Sequence, residues 1–134
     1  MADLLKLSVP GKPEYVSTVR MTISALAGSA GFDIEAIEDI KVAVSEACTN
    51  VVRHGKCDQN DYDVCCELSE DRLMISVADH AGGYDTACYC APEPENPREG
   101  GMGIFIIRAL MDEVDIFSEM GNGTRIQMIK YFHR

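Results

Sequence analysis

Three polar side chains recur four residues apart in the middle of this 134-residue chain: Glu46, Asn50 and His54. Four residues advance an α-helix by about 400°, so the three side chains form one row along a helix, with roughly 6 Å between neighbours. A carboxylate beside a carboxamide offers a proton acceptor and a neutral oxygen ligand for a hard cation. A solvated helix face has the same spacing, so the row alone leaves both interpretations open.

A second carboxylate, Asp79, ends a predicted strand and is followed by His80, Ala81, Gly82 and Gly83. Glycine lets backbone approach a ligand closely, and a carboxylate accepts hydrogen bonds from an amine on a flat ligand. The segment could therefore recognise such a ligand, although an ordinary β-turn has the same composition.

Glycines also precede the apolar segment 104–111, which is predicted to be a short buried helix. Gly100, Gly101 and Gly103 would present unobstructed backbone N–H groups at the positive end of that helix, where phosphate binds readily. The motif is not a P-loop, because the sequence contains neither GxxxxGKS nor GxxxxGKT. A flexible hinge accounts equally well for these glycines.

Helical and strand patterns succeed one another along the chain and must position these residues. Helical spacing of apolar residues predicts helices over 14–30 and, with Asp33 as the cap, over 34–54. Alternating residues predict short strands over 5–9, 62–68, 73–77, 114–117 and 126–131. Hairpin turns are predicted at 69–71 and 121–123, and an irregular lid or binding loop over 80–103. This order predicts one domain over 1–134, an α+β two-layer sandwich whose mixed, mostly antiparallel sheet carries helices on one face.

The charge balance narrows the classes of partner. Twelve Lys and Arg residues stand against 22 Asp and Glu residues, a net charge of −10. A surface this acidic repels phosphate backbones and anionic lipid, so direct binding to nucleic acid or membrane is disfavoured. No apolar run approaches the roughly 18 residues of a membrane span, and the N-terminus does not resemble a signal peptide. The six cysteines lack zinc-site spacing and are predicted to be free thiols in a reducing cytoplasm.

Taken in order, these motifs resemble the boxes of the GHKL superfamily of ATP-binding domains, which includes gyrase, heat-shock chaperones, histidine kinases and MutL. Residues 46–54 resemble its N box, 77–83 its first glycine box, 100–103 its second and 121–124 its last. Within that superfamily the chain, from about residue 3 to residue 131, is most similar to the small RsbW/SpoIIAB anti-sigma factors, which are also serine-protein kinases. The resemblance implies the Bergerat ATP-binding fold.

The resemblance also implies a role for each matched residue. Glu46 would be the general base that accepts the proton of a serine hydroxyl, and Asn50 would bind Mg²⁺ at the ATP phosphates. Asp79 would accept a hydrogen bond from the adenine amino group, with Thr124 beneath the base. Arg20 matches a partner-contacting arginine of these anti-sigma factors, although a lone arginine is usually a solvated charge. Further nucleotide contacts are expected from His54, Gly83, Gly100, Gly101 and Gly103.

The implied function is that of an ATP- and Mg²⁺-dependent serine kinase in the cytoplasm. It would phosphorylate an anti-anti-sigma protein of the STAS type and, when free of that protein, sequester a sigma factor; the resemblance also implies a homodimer. Ala81 replaces the first glycine of the family pattern D-x-G-x-G, at a cost on the order of 1 kcal/mol if that position requires a positive φ.

Two other functions compete with this one. Because Ala81 departs from the pattern, a non-catalytic, ATP-binding partner switch that regulates transcription stays open as the alternative. An isolated histidine-kinase catalytic domain is disfavoured, since the 134 residues leave no room for a dimerisation helix with its phospho-accepting histidine.

Overall fold

The computed structural model describes residues 2–54, 61–79, 97–119 and 123–132. In chain order they form β1 (Asp3–Val9), a 3-10 turn (Pro13–Tyr15), α1 (Val16–Ala30), α2 (Ile34–His54), β2 (Tyr62–Leu68), β3 (Arg72–Asp79), α3 (Pro97–Leu110), β4 (Glu113–Glu119) and β5 (Gly123–Tyr131). The helices cover one face of the sheet, so the predicted two-layer α+β fold is confirmed. Ala81, Gly83 and most of the predicted lid lie outside the described residues.

The five strands form one sheet in the order β1-β2-β3-β5-β4. Each of the four pairings between neighbouring strands is antiparallel, where a mixed sheet was expected. The physical reason is the position of β5. The connection through α3 makes β3 and β4 run in the same direction, but β5 lies between them and pairs antiparallel with both.

The register of the sheet places alternate residues against the helices. Val64 pairs with Val77, and Val77 pairs with Ile126, so these side chains share one face. That face and the inner sides of the helices enclose a single core, and removing its apolar surface from water is the main term that holds the layers together. Its most deeply buried members include Val19, Ile23, Ile40, Val44, Cys48, Tyr62, Val64, Leu73, Ile75, Val77, Ile107, Ile126 and Met128.

The limits of α1 and α2 are set by local sequence and lie close to the predicted positions. Asp33 Oδ1 accepts a hydrogen bond of 2.8 Å from the Ala36 N–H and so satisfies one of the unpaired donors at the start of α2. α1 ends at Ala30. The next residue, Gly31, has a φ of 101°, which is favourable for glycine, and the Phe32 N–H donates to the Ala27 carbonyl at 3.2 Å.

α3 begins at Pro97, seven residues earlier than the predicted start at Ile104. The prediction was wrong because it ended the irregular segment after Gly103, since each glycine costs a helix interior roughly 1 kcal/mol. A proline in the first helical position is pre-organised for the helix, and burial of Gly103 favours helix packing. Gly100, Gly101 and Gly103 therefore lie inside α3 rather than before it, and the last residues of the predicted lid are helical.

None of the described helices combines the length and the hydrophobicity that a membrane crossing requires.

Candidate functional site

α2 turns one row of polar side chains away from the core. Glu46 and Asn50 are half-buried, whereas Ala47 and Cys48 between them are fully buried. The predicted common side of Glu46 and Asn50 therefore matches the burial pattern of this helix. His54 is the last residue of α2, and its side chain lies outside the described part of the structure.

The backbone of α3 faces the Glu46 carboxylate. Gly103 is buried, and a Cβ atom at this position would lie 3.1 Å from Glu46 Oε1. That distance is tighter than most carbon contacts, so any larger residue would press on the carboxylate. The absence of a side chain at Gly103 thus leaves the space in which the Glu46 carboxylate lies between α2 and α3. The structure brings these two predicted site residues together.

The end of β3 meets the start of β5 at a second carboxylate. Asp79 Oδ1 accepts a hydrogen bond of 3.2 Å from the Thr124 N–H. The preceding residue, Gly123, is buried and has a φ of 77°. A Cβ atom there would lie only 2.0 Å from Asp79 Oδ1, so glycine is required both by the backbone conformation and by the carboxylate. Asp79 and Thr124, predicted from separate motifs, are therefore direct neighbours.

Both carboxylates lie on the helix side of the sheet. Asp79 follows Val77 by two residues on β3, so it shares the face that the helices cover. Asp79 also pairs with Tyr62 across the two strands, and Tyr62 is close enough to Cys48 for the two groups to interact electrostatically. Because Cys48 lies between Glu46 and Asn50 on α2, the predicted catalytic row and Asp79 belong to the same end of the sheet.

The core beside this helix segment contains two thiols that do not ionise at neutral pH. Burial raises the pKa of the Cys48 thiol to about 12, and burial likewise raises the pKa of the Cys66 thiol to about 12. Both thiols therefore stay protonated at neutral pH and pack as small apolar groups. Cys66 is buried on the face of β2 that the helices cover.

Within the described ranges, no three His, Cys, Asp or Glu side chains cluster as a metal site. Glu46 and Asn50 are only two residues, although their carboxylate and carboxamide oxygens are of the kind that Mg²⁺ accepts. Mg²⁺ usually binds one or two protein oxygens together with substrate phosphates and water. The pair therefore fits a cation that arrives with a nucleotide and does not fit a cage built from protein ligands alone.

Arg20 lies on α1, a different helix from the one that carries Glu46. It is half-buried and lines a groove of about 480 Å³ between the start of α1 and the second half of α2. The other lining residues are Pro13, Val16, Ser17, Thr49 and Val52. The remaining predicted site residues divide in two: Gly100 and Gly101 lie in α3, and Gly83 lies outside the described ranges.

Sequence reasoning missed a buried lysine. Lys130 is only 7% exposed; its Nζ donates to the Leu110 carbonyl at 2.6 Å and contacts Asp39 Oδ2 at 3.4 Å. It joins β5 to the end of α3 and to α2. A signal was available, because Lys130 shares a strand face with Ile126 and Met128 and a lysine on that face requires partners.

Comparison with known proteins defines the class first. Residues 9–130 match the family described as the histidine kinase-like ATPase domain, a class that binds ATP. The chain is 42% identical over 139 residues to the serine-protein kinase RsbW of Oceanobacillus iheyensis, covering 96% of this chain and 87% of that protein. It is 39% identical over 145 residues to the serine-protein kinase RsbW of Bacillus pumilus, covering 98% and 88%. This chain belongs to the RsbW family of serine-protein kinases.

A solved structure supports the fold independently. The crystal structure of the RsbU and RsbW domains of a Mycobacterium tuberculosis protein matches with a TM-score of 0.75 at 21% identity, covering 98% of this chain and 33% of that one. At this level of identity the likeness concerns the fold alone. The family resemblance drawn from the four motifs is confirmed by the family match and the sequence relatives.

Proposed function

We propose that this protein transfers the γ-phosphoryl group of ATP to a serine of an anti-anti-sigma protein of the STAS type and, when free of that protein, sequesters a sigma factor. The observation that carries the proposal is the half-buried Glu46 carboxylate, which lies against the backbone of Gly103 and four residues before Asn50. In a chain of the RsbW family, this is an acceptor and an oxygen ligand side by side.

Glu46 is the proposed general base. Its carboxylate accepts the proton of the serine hydroxyl while the serine oxygen bonds to the γ-phosphorus. The bond from that phosphorus to the β–γ bridging oxygen breaks, and ADP leaves. Asn50 is the proposed protein ligand of Mg²⁺, which when bound neutralises charge on the phosphates.

Asp79 is the proposed acceptor for the adenine amino group, with Thr124 beneath the base. The position of Asp79 at the end of β3, where its Oδ1 accepts the Thr124 N–H, supports this role.

The other proposed nucleotide contacts are His54, Gly83, Gly100, Gly101 and Gly103. Gly101 and Gly103 lie beyond the first four residues of α3, where backbone N–H groups bond within the helix. Phosphate binding by these two N–H groups therefore requires the first turns of α3 to open.

Arg20 is the proposed partner contact. The groove beside it combines a cation with the apolar side chains of Val16 and Val52, a surface that suits an acidic or apolar partner segment. The net charge of −10 favours a basic protein such as a sigma factor over nucleic acid or anionic lipid. We also propose a single domain over 1–134 that acts as a homodimer in the cytoplasm.

Label transfer tests the proposed function. The protein is incubated with ATP labelled in the γ-phosphate and with a candidate STAS-type protein, and the product is analysed for phosphoserine. We expect labelled phosphoserine in the partner protein. ATP binding without any transfer would contradict the kinase proposal in favour of the non-catalytic partner switch, and labelled phosphohistidine would favour the histidine-kinase alternative.

The metal role of Asn50 has a separate test. Calorimetric titration with ATP, with and without Mg²⁺, should show that Mg²⁺ strengthens binding to the parent protein. In Asn50→Ala, the factor by which Mg²⁺ strengthens ATP binding should be at least about tenfold smaller, because an oxygen ligand is removed. Ser45→Ala is the matched control, since the Ser45 hydroxyl donates to the Lys41 carbonyl on the same helix. Equal affinities of the parent and Asn50→Ala under all conditions would remove the proposed role.

A further inference from the structure

At the junction of β3 and β5, neighbouring groups constrain the position of the Asp79 carboxylate. One of its oxygens accepts the Thr124 N–H at 3.2 Å. The same carboxylate lies against Gly123, where an added Cβ would lie 2.0 Å from Oδ1, 3.1 Å from the Asp79 carbonyl oxygen and 3.2 Å from Cγ. The carboxylate therefore occupies the volume that any other residue at position 123 would fill.

We propose that Gly123 is a positioning residue that orients the Asp79 carboxylate and thereby sets the selectivity of the site for a purine with a 6-amino group. This inference rests on the proposed function, in which Asp79 recognises adenine. Gly123 itself contacts the carboxylate and not the base.

The chemistry of selectivity follows from the kind of group that accepts the hydrogen bond. An ionised carboxylate only accepts hydrogen bonds, so it pairs with an amino group and repels a carbonyl oxygen at the same position. That discrimination requires a fixed carboxylate, because a rotated side chain could exchange the lost contact for water. The Thr124 N–H and the space above Gly123 together supply the fixed orientation.

A second explanation of Gly123 is that its backbone conformation alone requires glycine. Gly31 separates the two explanations, because it also has a positive φ, of 101°, but has nothing within 4 Å of an added Cβ. Gly31→Ala therefore imposes the backbone strain without a contact. It should lower the denaturation midpoint and leave nucleotide selectivity unchanged.

The experiment compares two nucleotides that differ at one group. Dissociation constants for ATP and for inosine triphosphate, in which a carbonyl replaces the amino group, are measured by calorimetry on the parent protein, Gly123→Ala and Gly31→Ala. We expect the parent and Gly31→Ala to prefer ATP by the same factor. In Gly123→Ala that preference should fall about tenfold or more, because the acceptor is displaced.

The outcomes are distinguishable from failure of the proposed function. A parent protein that binds neither nucleotide would contradict ATP binding itself. A folded Gly123→Ala protein that keeps the parental preference would overturn only the inference about Gly123.

A second measurement keeps the inference testable if Gly123→Ala is poorly folded. The loss of unfolding free energy caused by Gly123→Ala is compared in the parent and in an Asp79→Ala background, where Oδ1 is gone. We expect a clearly smaller loss in the second background. Equal losses, or a double variant that also fails to fold, would show that the backbone alone requires the glycine and would overturn the inference.

Discussion

The pair formed by α2 and α3 has two differently built ends. At the closed end, Lys130 from β5 forms a clamp: it donates to the Leu110 carbonyl and contacts Asp39. At the open end, Gly103 faces Glu46 and has no side chain. Asp39 precedes Glu46 on α2, whereas Leu110 follows Gly103 on α3, so the two helices run antiparallel. Seven residues separate the two ends on each helix, a rise of about 10 Å, so both ends belong to one packed unit.

The difference shows how one interface can be both fixed and accessible. A buried cation with a carbonyl and a carboxylate ties three elements together at the closed end. At the open end, Gly103 has no side chain and Glu46 is half-buried, so part of this residue remains accessible to solvent. Stability and chemistry are therefore expected to separate along α2, and variants at either end test that separation.

The largest effect is expected at the open end. Glu46→Gln keeps the size of the side chain but removes the proton acceptor, so kcat for label transfer should fall roughly 10²- to 10⁴-fold while ATP affinity is kept. Glu38→Gln is the matched control, since Glu38 lies on the same helix but is exposed and pairs with Lys41. Parental turnover by Glu46→Gln would show that another group is the base.

The closed end should respond in stability instead. Lys130→Met leaves the Leu110 carbonyl without its donor and Asp39 without its cation, so the free energy of unfolding should fall by about 1–3 kcal/mol. Urea denaturation measures this change. In the control Lys41→Met, which removes a more exposed ion pair with Glu38, the loss should stay below about 0.5 kcal/mol. Equal losses in the two variants would contradict the proposed clamp.

A smaller effect on kcat is expected when a side chain is added at the open end. Gly103→Ala adds a Cβ 3.1 Å from Glu46 Oε1, so the carboxylate must shift by a few tenths of an ångström and kcat should fall about tenfold. Gly28→Ala is the control, because its Cβ would lie 3.9 Å from Ile37 Cδ1, an ordinary contact. The control should keep full activity and gain about 0.5–1 kcal/mol of stability.

The result for Gly103→Ala also separates two roles of this glycine. A change in kcat alone would assign it to the position of the base. Weaker ATP binding by Gly103→Ala would indicate the phosphate contact implied by the family resemblance. An unchanged kcat and an unchanged affinity would contradict both roles.

The features that sequence predicted well depend on neighbouring residues. The cap by Asp33, the end of α1 at Ala30 and the polar row containing Glu46 follow from helical spacing and capping, which are local properties. The four motifs in order led to the correct family because each carries residue types that the chemistry requires.

The features that sequence reasoning missed depend on distant partners. The start of α3 at Pro97 reflects packing of Gly103 against a helix more than 50 positions earlier, which overrides the low helix propensity of glycine. The contact between Asp79 and Gly123 and the clamp at Lys130 need the pairing of β5, which local patterns do not specify. The order of strands in the sheet was undetermined for the same reason.

The interior place of β5 has a consequence for synthesis on the ribosome. This strand follows all other described elements in the chain, yet it carries both the Thr124 N–H and Lys130 and fills the space between β3 and β4. A nascent polypeptide that stops short of residue 123 lacks the donor to Asp79 as well as the ammonium group that joins α2 to α3. Competence to hold a nucleotide should therefore arise only late in translation, in one step with closure of the sheet.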